Sequence, residues 1–221
     1  MNLLSSIGIC ALLMTQLTFL AVYAYEGCVV RFGRKGCTHR ILEGVLVVCD
    51  GLNREKAIPT NVPKDTVYLS LKNFKLNHLQ KSDFEMFSSV ECLSIVDSGI
   101  NKVDPDAFSS MTSLMELSLE KTHMDSTSLR FVNHDTFHPI LLAITNSRFL
   151  TEIDFQATKN LNDLKTLNLA GNHISEINRE IFEELKSLEA LDLSGNQLGS
   201  LDWESLNQLS ELNKLFLDNN K

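Results

Sequence analysis

Apolar side chains recur along this chain in a fixed rhythm: one apolar residue, two variable positions, an apolar-x-apolar triplet, then another apolar residue five positions on. The clearest run carries Leu188, Leu191, Leu193, Asn196 and Leu198 in that frame. One period earlier stand Leu164, Leu167, Leu169, Asn172 and Ile174, and one period later Leu212, Leu215, Leu217 and Asn220. The same frame fits Leu114/Leu117/Leu119/Met124, Val90/Leu93/Ile95/Ile100 and Thr66/Leu69/Leu71/Leu76, and a further copy fits Pro139/Leu142/Ile144/Phe149. Copies therefore begin near 66, 90, 114, 139, 164, 188 and 212, a period of about 24 that indicates a stacked solenoid. Within each copy the triplet alternates with period two. It predicts a short strand whose first and third residues point into the core and whose middle residue points out.

The asparagine after the triplet is suited to closing the turn, because its amide can bond backbone groups that the bend leaves without partners. It is present at 172, 196 and 220, whereas Ser98, Thr122 and Ser147 hold that place in earlier copies. A hydroxyl can supply part of the same bonding. Phe74 in the first copy cannot, so that turn has to be closed another way. The later apolar pairs Phe84/Phe87, Phe108/Met111, Phe182/Leu185 and Leu206/Leu209 are expected to fill the space beneath the opposite, convex side. From Asp125 to Thr136 this spacing is lost, which predicts an irregular bulge.

These residues resemble the extracellular leucine-rich-repeat pattern L-x-x-L-x-L-x-x-N-x-L, in its 24-residue form with a later phenylalanine. The resemblance implies an α/β fold, a right-handed solenoid with a short parallel sheet on its concave face, over residues 66–221. Residues 25–65 carry Val45 to Leu52, then Ile58-Pro59 and Val62-Pro63. They resemble the cysteine-bearing cap that precedes the first repeat in Toll-like receptors, Slit-type proteins and small leucine-rich proteoglycans. Such a cap covers the leucines of the first coil, and a disulfide helps because so short a segment has little core of its own. The resemblance implies that Cys49 pairs with Cys37 or Cys28, and spacing favours Cys37. Cys92 falls on the concave face, where three states are open: a thiol, a bridge to the spare cap cysteine, or an interchain bond.

Residues 1–24 contain no charged side chain, and Leu3 to Leu20 is almost wholly apolar. The run ends in Val22, Tyr23 and Ala24, which suits signal-peptidase cleavage, so a cleaved secretory leader is expected. An uncleaved signal anchor is the competing reading, since such a run is long enough to span a bilayer. Export fits the cysteines, as disulfides persist outside the cell. The chain contains no Asn-x-Ser/Thr acceptor site.

Composition narrows the function. A net charge of −8 with no lysine- or arginine-rich tract argues against a nucleic-acid partner. Arg31, Arg34, Lys35 and Arg40 make one locally basic segment, best read as a solvated loop. No nucleophile motif, phosphate loop or metal-ligand spacing occurs. His134 and His138 lie four apart, but no glutamate follows His134, so neither catalysis, cofactor nor metal is expected.

Recognition is the remaining class: a receptor ectodomain or soluble relative in innate defence or cell signalling, or an adhesion or matrix-organising protein. The partner expected is another protein, with a glycan or lipid headgroup behind it. The outward residues of a rigid sheet are the default contact surface. The candidates there are Tyr68, Lys72, Glu116, Glu120, Thr145 and Arg148. The fifth position of successive copies reads Ser70, Ser94, Ser118, Ala143, Asn168, Asp192 and Phe216, a floor of small residues at first. The tenth reads Lys75, Gly99, His123, Arg148, His173, Gln197 and Lys221, a basic-leaning rim whose plainest role is solubility. Lys221 falls in mid-repeat, so the chain is expected to be part of a longer protein, or to cover its open end by dimerisation.

Overall fold

The structure, a computed structural model, describes residues 22–25, 28–37, 40–52, 57–153, 161–177, 179–201 and 203–221. A ten-stranded sheet runs through the whole of it. It opens with β1 (Val22–Tyr25), β2 (Cys28–Cys37) and β3 (Arg40–Asp50), which pair antiparallel in sequence order. β4 (Thr66–Lys72) then joins β3 in parallel. Each later coil adds one strand, and a separate small pair forms from β5 (His78–Leu79) and β7 (Lys102–Val103). The strands added to the large sheet are β6 (Cys92–Val96), β8 (Glu116–Glu120), β9 (Leu141–Thr145), β10 (Thr166–Asn168), β11 (Ala190–Asp192) and β12 (Lys214–Phe216).

The register follows the sequence frame. Leu69, Leu93, Leu117, Leu142, Leu167, Leu191 and Leu215 lie opposite one another from strand to strand. All but Leu215 are buried, and Leu215 is half-buried in the last strand. A single coil could not enclose its leucines, so the core is one continuous column stretching from Cys28 to Leu209. Among the described residues the convex side is built mostly of short 3-10 turns, with one short helix, α1 (Trp203–Leu206). Phe84, Phe87, Phe108, Met111, Phe182 and Leu185 are buried there as their spacing predicts.

The residue two after each triplet adopts the left-handed backbone region, with φ between 50° and 69°: Asn73, Asp97, Lys121, Asn146, Gly171, Gly195 and Asn219. Glycine, asparagine and aspartate tolerate this conformation, and Lys121 is the exception to that preference. The next residue closes the turn. Asn196 shows how: its amide NH2 donates to Leu193 O and to Leu169 O one coil back, while its Oδ1 accepts from Ile174 N. Asn172 and Asn220 bridge coils in the same manner. In the first copy Phe74 N donates to Ser98 Oγ, and the buried ring lies over Gly51, where a Cβ would come within 2.8 Å of it.

Three expectations are corrected. Cys49 is bonded to Cys28, not to Cys37. The hairpin sets Cys28 directly opposite Cys49 at a Cα separation of 3.9 Å. Cys37 faces Arg40 at the turn end, roughly 30 Å away along the strand. Spacing in sequence misled because a long antiparallel hairpin brings its remote ends together. Second, the segment after Asp125 is no irregular bulge. It is an ordered 3-10 helix, Ser126–Asn133, whose neighbourhood buries Leu129, Phe131 and Phe137. Asp125 Oδ1 caps it, accepting from Ser128 N at 3.1 Å and from the Thr127 hydroxyl at 2.8 Å. These bonds, that of Thr127 foremost, hold the Asp125 carboxyl below the usual carboxylate range. Third, Phe149 does not face the core. The copy beginning at 139 runs one residue beyond the 24-residue period, and Leu150 takes the inward place, fully buried, while Phe149 is 56% exposed.

Candidate binding face and rim

Side chains on the concave face form rows across the strands, because parallel strands in register place like positions about 4.8 Å apart. The first row runs Leu46, Tyr68, Cys92, Glu116, Leu141. It is more closed than the sequence suggests: every member is less than a tenth exposed, Tyr68 at 7% and Glu116 at 6%. Leu46, Tyr68 and Cys92 pack as a small apolar cluster with Val48 and Val67 against it. Cys92 carries a thiol, 3.9 Å from Glu116 Oε2, and makes no disulfide. Tyr68 and Glu116 thus help to cover the sheet as well as to present a surface. Their large side chains lean on their row neighbours, a contact that the strand alternation alone does not show.

The row at the far end of the strands is more open. It runs Asp50, Lys72, Val96, Glu120, Thr145, with Lys72 exposed and Glu120 and Thr145 half-buried. Asp50 accepts from Leu52 N at 2.9 Å and from the Asn73 amide. These bonds, with the neighbouring Lys72 charge as a lesser cause, hold its carboxyl below the usual range. Between the two rows lie Ser70, Ser94, Ser118 and Ala143, the narrow floor.

Arg148 belongs to neither row. It lies on the rim, where the turns after the strands enclose an open concavity of about 640 Å³. Lys121, His123, Arg148 and His173 line it, together with Asp97, Thr122, Asn146 and Gly171. Backbone bonds hold each turn to its neighbour: Asp97 N to Glu120 O, Lys121 N to Thr145 O, Asn146 N to Ala170 O and Gly171 N to Ser194 O. Gly171 has a positive φ of 69°, and a Cβ there would collide with Asn146 Oδ1. Beside the concavity the Phe149 ring meets the His123 ring edge-on, centroids 5.9 Å apart. Sequence reasoning singled out the tenth-position ladder but missed Lys121, and it placed Phe149 inside. The adjacent Phe149-Leu150 pair was the available signal, since only one of two consecutive apolar residues can follow the inward frame.

Of the six candidates, Tyr68 and Glu116 share the closed row and Lys72, Glu120 and Thr145 the open one, while Arg148 stands on the rim. The leucine rich repeat family model matches residues 141–198 and 164–221. The fold is that of a leucine-rich-repeat solenoid, and residues 141–221 carry the family's repeats. Its repeats before 141 lie outside that match, yet their strands continue the same register. No curated protein sequence matches the chain significantly.

Among solved structures, this chain is similar to TLR13 in its complex with a single-stranded RNA. Identity is 27%, the TM-score is 0.60, and the match covers 70% of this chain and 22% of that one. The Drosophila Toll–Spatzle complex matches at 20% identity and TM-score 0.56, over 75% of this chain and 25% of the other. The APL1 leucine-rich-repeat domain matches at 20% identity and TM-score 0.62, over 78% and 46%. The chain therefore spans less than half the length of each of these relatives, and the likenesses at 20% identity speak for the fold alone. Among the described residues no helix is long and apolar enough to cross a membrane.

Proposed function

We propose that this chain is an extracellular protein-recognition module that binds its partner across the open concave row and the adjoining rim, and that it performs no catalysis. The observation that carries this is the division of the concave face. One row is closed and supports the sheet, while Lys72, Glu120, Thr145 and Arg148 project from main chain held by inter-coil hydrogen bonds. A surface so rigid loses little entropy on binding. Toll, similar in fold, is seen with the protein Spatzle, which supports a protein partner here. TLR13 is seen with RNA, so a nucleic-acid partner stays in the test despite the acidic charge of this chain.

We further propose that residues 1–24 are a leader removed on export, that 25–65 cap the solenoid and that 66–221 are its repeats. The expected cleavage after Ala24 falls inside β1, and would leave β2 as the edge strand of the sheet. We also propose a role in innate defence or cell signalling, a reading supported by the Toll–Spatzle complex, a molecular hub in Drosophila development and innate immunity.

The test is a binding screen of the purified protein against an array of secreted and cell-surface ectodomains and against single-stranded RNA. Wild type is compared with a variant carrying Lys72→Glu, Glu120→Lys and Thr145→Arg. A protein hit lost in the variant, at unchanged melting temperature, supports the assignment. A hit indifferent to all three changes, or binding to RNA alone, overturns it. Mass spectrometry of the exported product checks the leader, which is disproved if residues 1–24 remain.

A further inference from the structure

The rim concavity has a chemistry of its own. In a chain of net charge −8, it gathers Lys121, Arg148, His123 and His173 around a single acidic side chain, Asp97. These come from coils adjacent in the stack, so the groups recur at about one strand spacing. Among the described residues no salt bridge engages Lys121 or Arg148, although such bridges form elsewhere, as between Lys165 and Glu189. Positive potential confined to one hollow of an acidic protein steers and orients an anionic partner.

Charge alone would suit any polyanion. Phe149 favours a protein among them. The one-residue extension of its coil turns this ring outward, 56% exposed, against the edge of His123 at the margin of the basic hollow. An exposed aromatic beside an arginine is the composition of a protein-binding hot spot, where an apolar side chain of the partner is desolvated and its neighbouring charges are matched. A sulfated glycan offers anions and sugar C–H faces, and RNA offers bases that stack, but neither brings an aliphatic side chain to the ring beside matched carboxylates.

We infer that the rim concavity docks an acidic segment of a partner protein, its carboxylates toward Lys121 and Arg148 and an apolar side chain against Phe149. This rests on the protein-recognition reading above and names the chemistry of the segment recognised. The hollow is preformed, since its turns are tied coil to coil through the backbone, so binding needs no rearrangement of the main chain.

The test uses a fluorescein-labelled synthetic peptide rich in aspartate and glutamate around a central leucine, read by anisotropy on the full chain. The comparison probes are the same peptide with the leucine changed to serine and a sulfated oligosaccharide of the heparin type. The leucine peptide should bind best and weaken as salt is raised. Lys121→Glu with Arg148→Glu should reduce its affinity at least about tenfold. Phe149→Ser should reduce it several-fold and abolish the preference over the serine peptide. Lys186→Glu, an exposed charge on the convex side after Leu185, should leave peptide binding intact. In the ectodomain screen, a protein hit kept by the concave-row triple variant but lost on the rim changes would mark failure of the row assignment and not of this one. Equal binding of both peptides, preference for the oligosaccharide, or indifference to the rim variants would each overturn the inference.

Discussion

The coils before residue 148 and those after 164 keep the same strand register but hold their coils together by different means. In the later coils Asn172, Asn196 and Asn220 stitch each turn to the one behind it, each bonding backbone groups of two coils. In the earlier coils hydroxyls stand at that place and reach less far. Thr122 and Ser147 bond each other at 2.6 Å, and Ser98 accepts from Phe74 N. The earlier coils have instead a column of rings on the convex side. Phe84 packs on Phe108 at 5.1 Å, and Phe108 meets both Phe131 and Phe137, at 5.3 and 6.1 Å. One region is tied by directional bonds in its turns and the other by aromatic packing across its back. The same solenoid tolerates either, because each joins one coil to the next.

The harshest way to break both regions at once is a charge in the shared leucine column. Leu191→Asp should unfold the neighbouring coils and abolish the cooperative melt followed by circular dichroism, since it buries a charge with no partner. Truncating rings sharpens the contrast. Phe108→Ala should cost about 4 kcal/mol in denaturant melts, and Phe182→Ala less, by about 1 kcal/mol, because Phe108 also loses its ring contacts. Equal losses would deny the aromatic column any special role.

At the turns the order should reverse. Asn196→Ala leaves Ile174 N and three carbonyls without this partner and should cost about 2 kcal/mol, against about 1 kcal/mol for Thr122→Val. If the two cost the same, the amide ladder is not what distinguishes the later coils. Asp125→Ala, at the cap of the 3-10 segment, should cost about 1 kcal/mol at neutral pH. The Asp125 carboxyl titrates below its unfolded value, so its contribution is present above that value and fades as pH falls through the folded one. The wild-type advantage in melting temperature should therefore shrink on acidification. The smallest effect belongs to the rim: Arg148→Glu should change stability by no more than about 0.5 kcal/mol, since the side chain is exposed.

The leucine frame, the strands, the convex phenylalanine pairs and the turn-closing asparagines were all legible, because each depends on spacing within one coil. The pairing of Cys49 was not, since it depends on which ends of a hairpin meet. Nor was the closure of the row holding Tyr68 and Glu116, whose burial comes from neighbours about 24 residues away. Glu116 shows the gap most clearly. A glutamate at an outward strand position reads as a solvated charge, yet Cys92 on one side and Leu141 on the other leave it 6% exposed.

By itself the sequence determined that this chain repeats, where each strand begins, and which side chains must be inside, because a periodic apolar pattern has only one face to bury. The tertiary structure alone decided what stacking does to the positions left outside. Parallel register multiplies each outward residue into a row, which closes where the side chains are large and opens where they are small or charged. It also decided that one extra residue after β9 would turn Phe149 out beside a basic hollow, since inward and outward are settled by the coil's path and not by hydrophobicity.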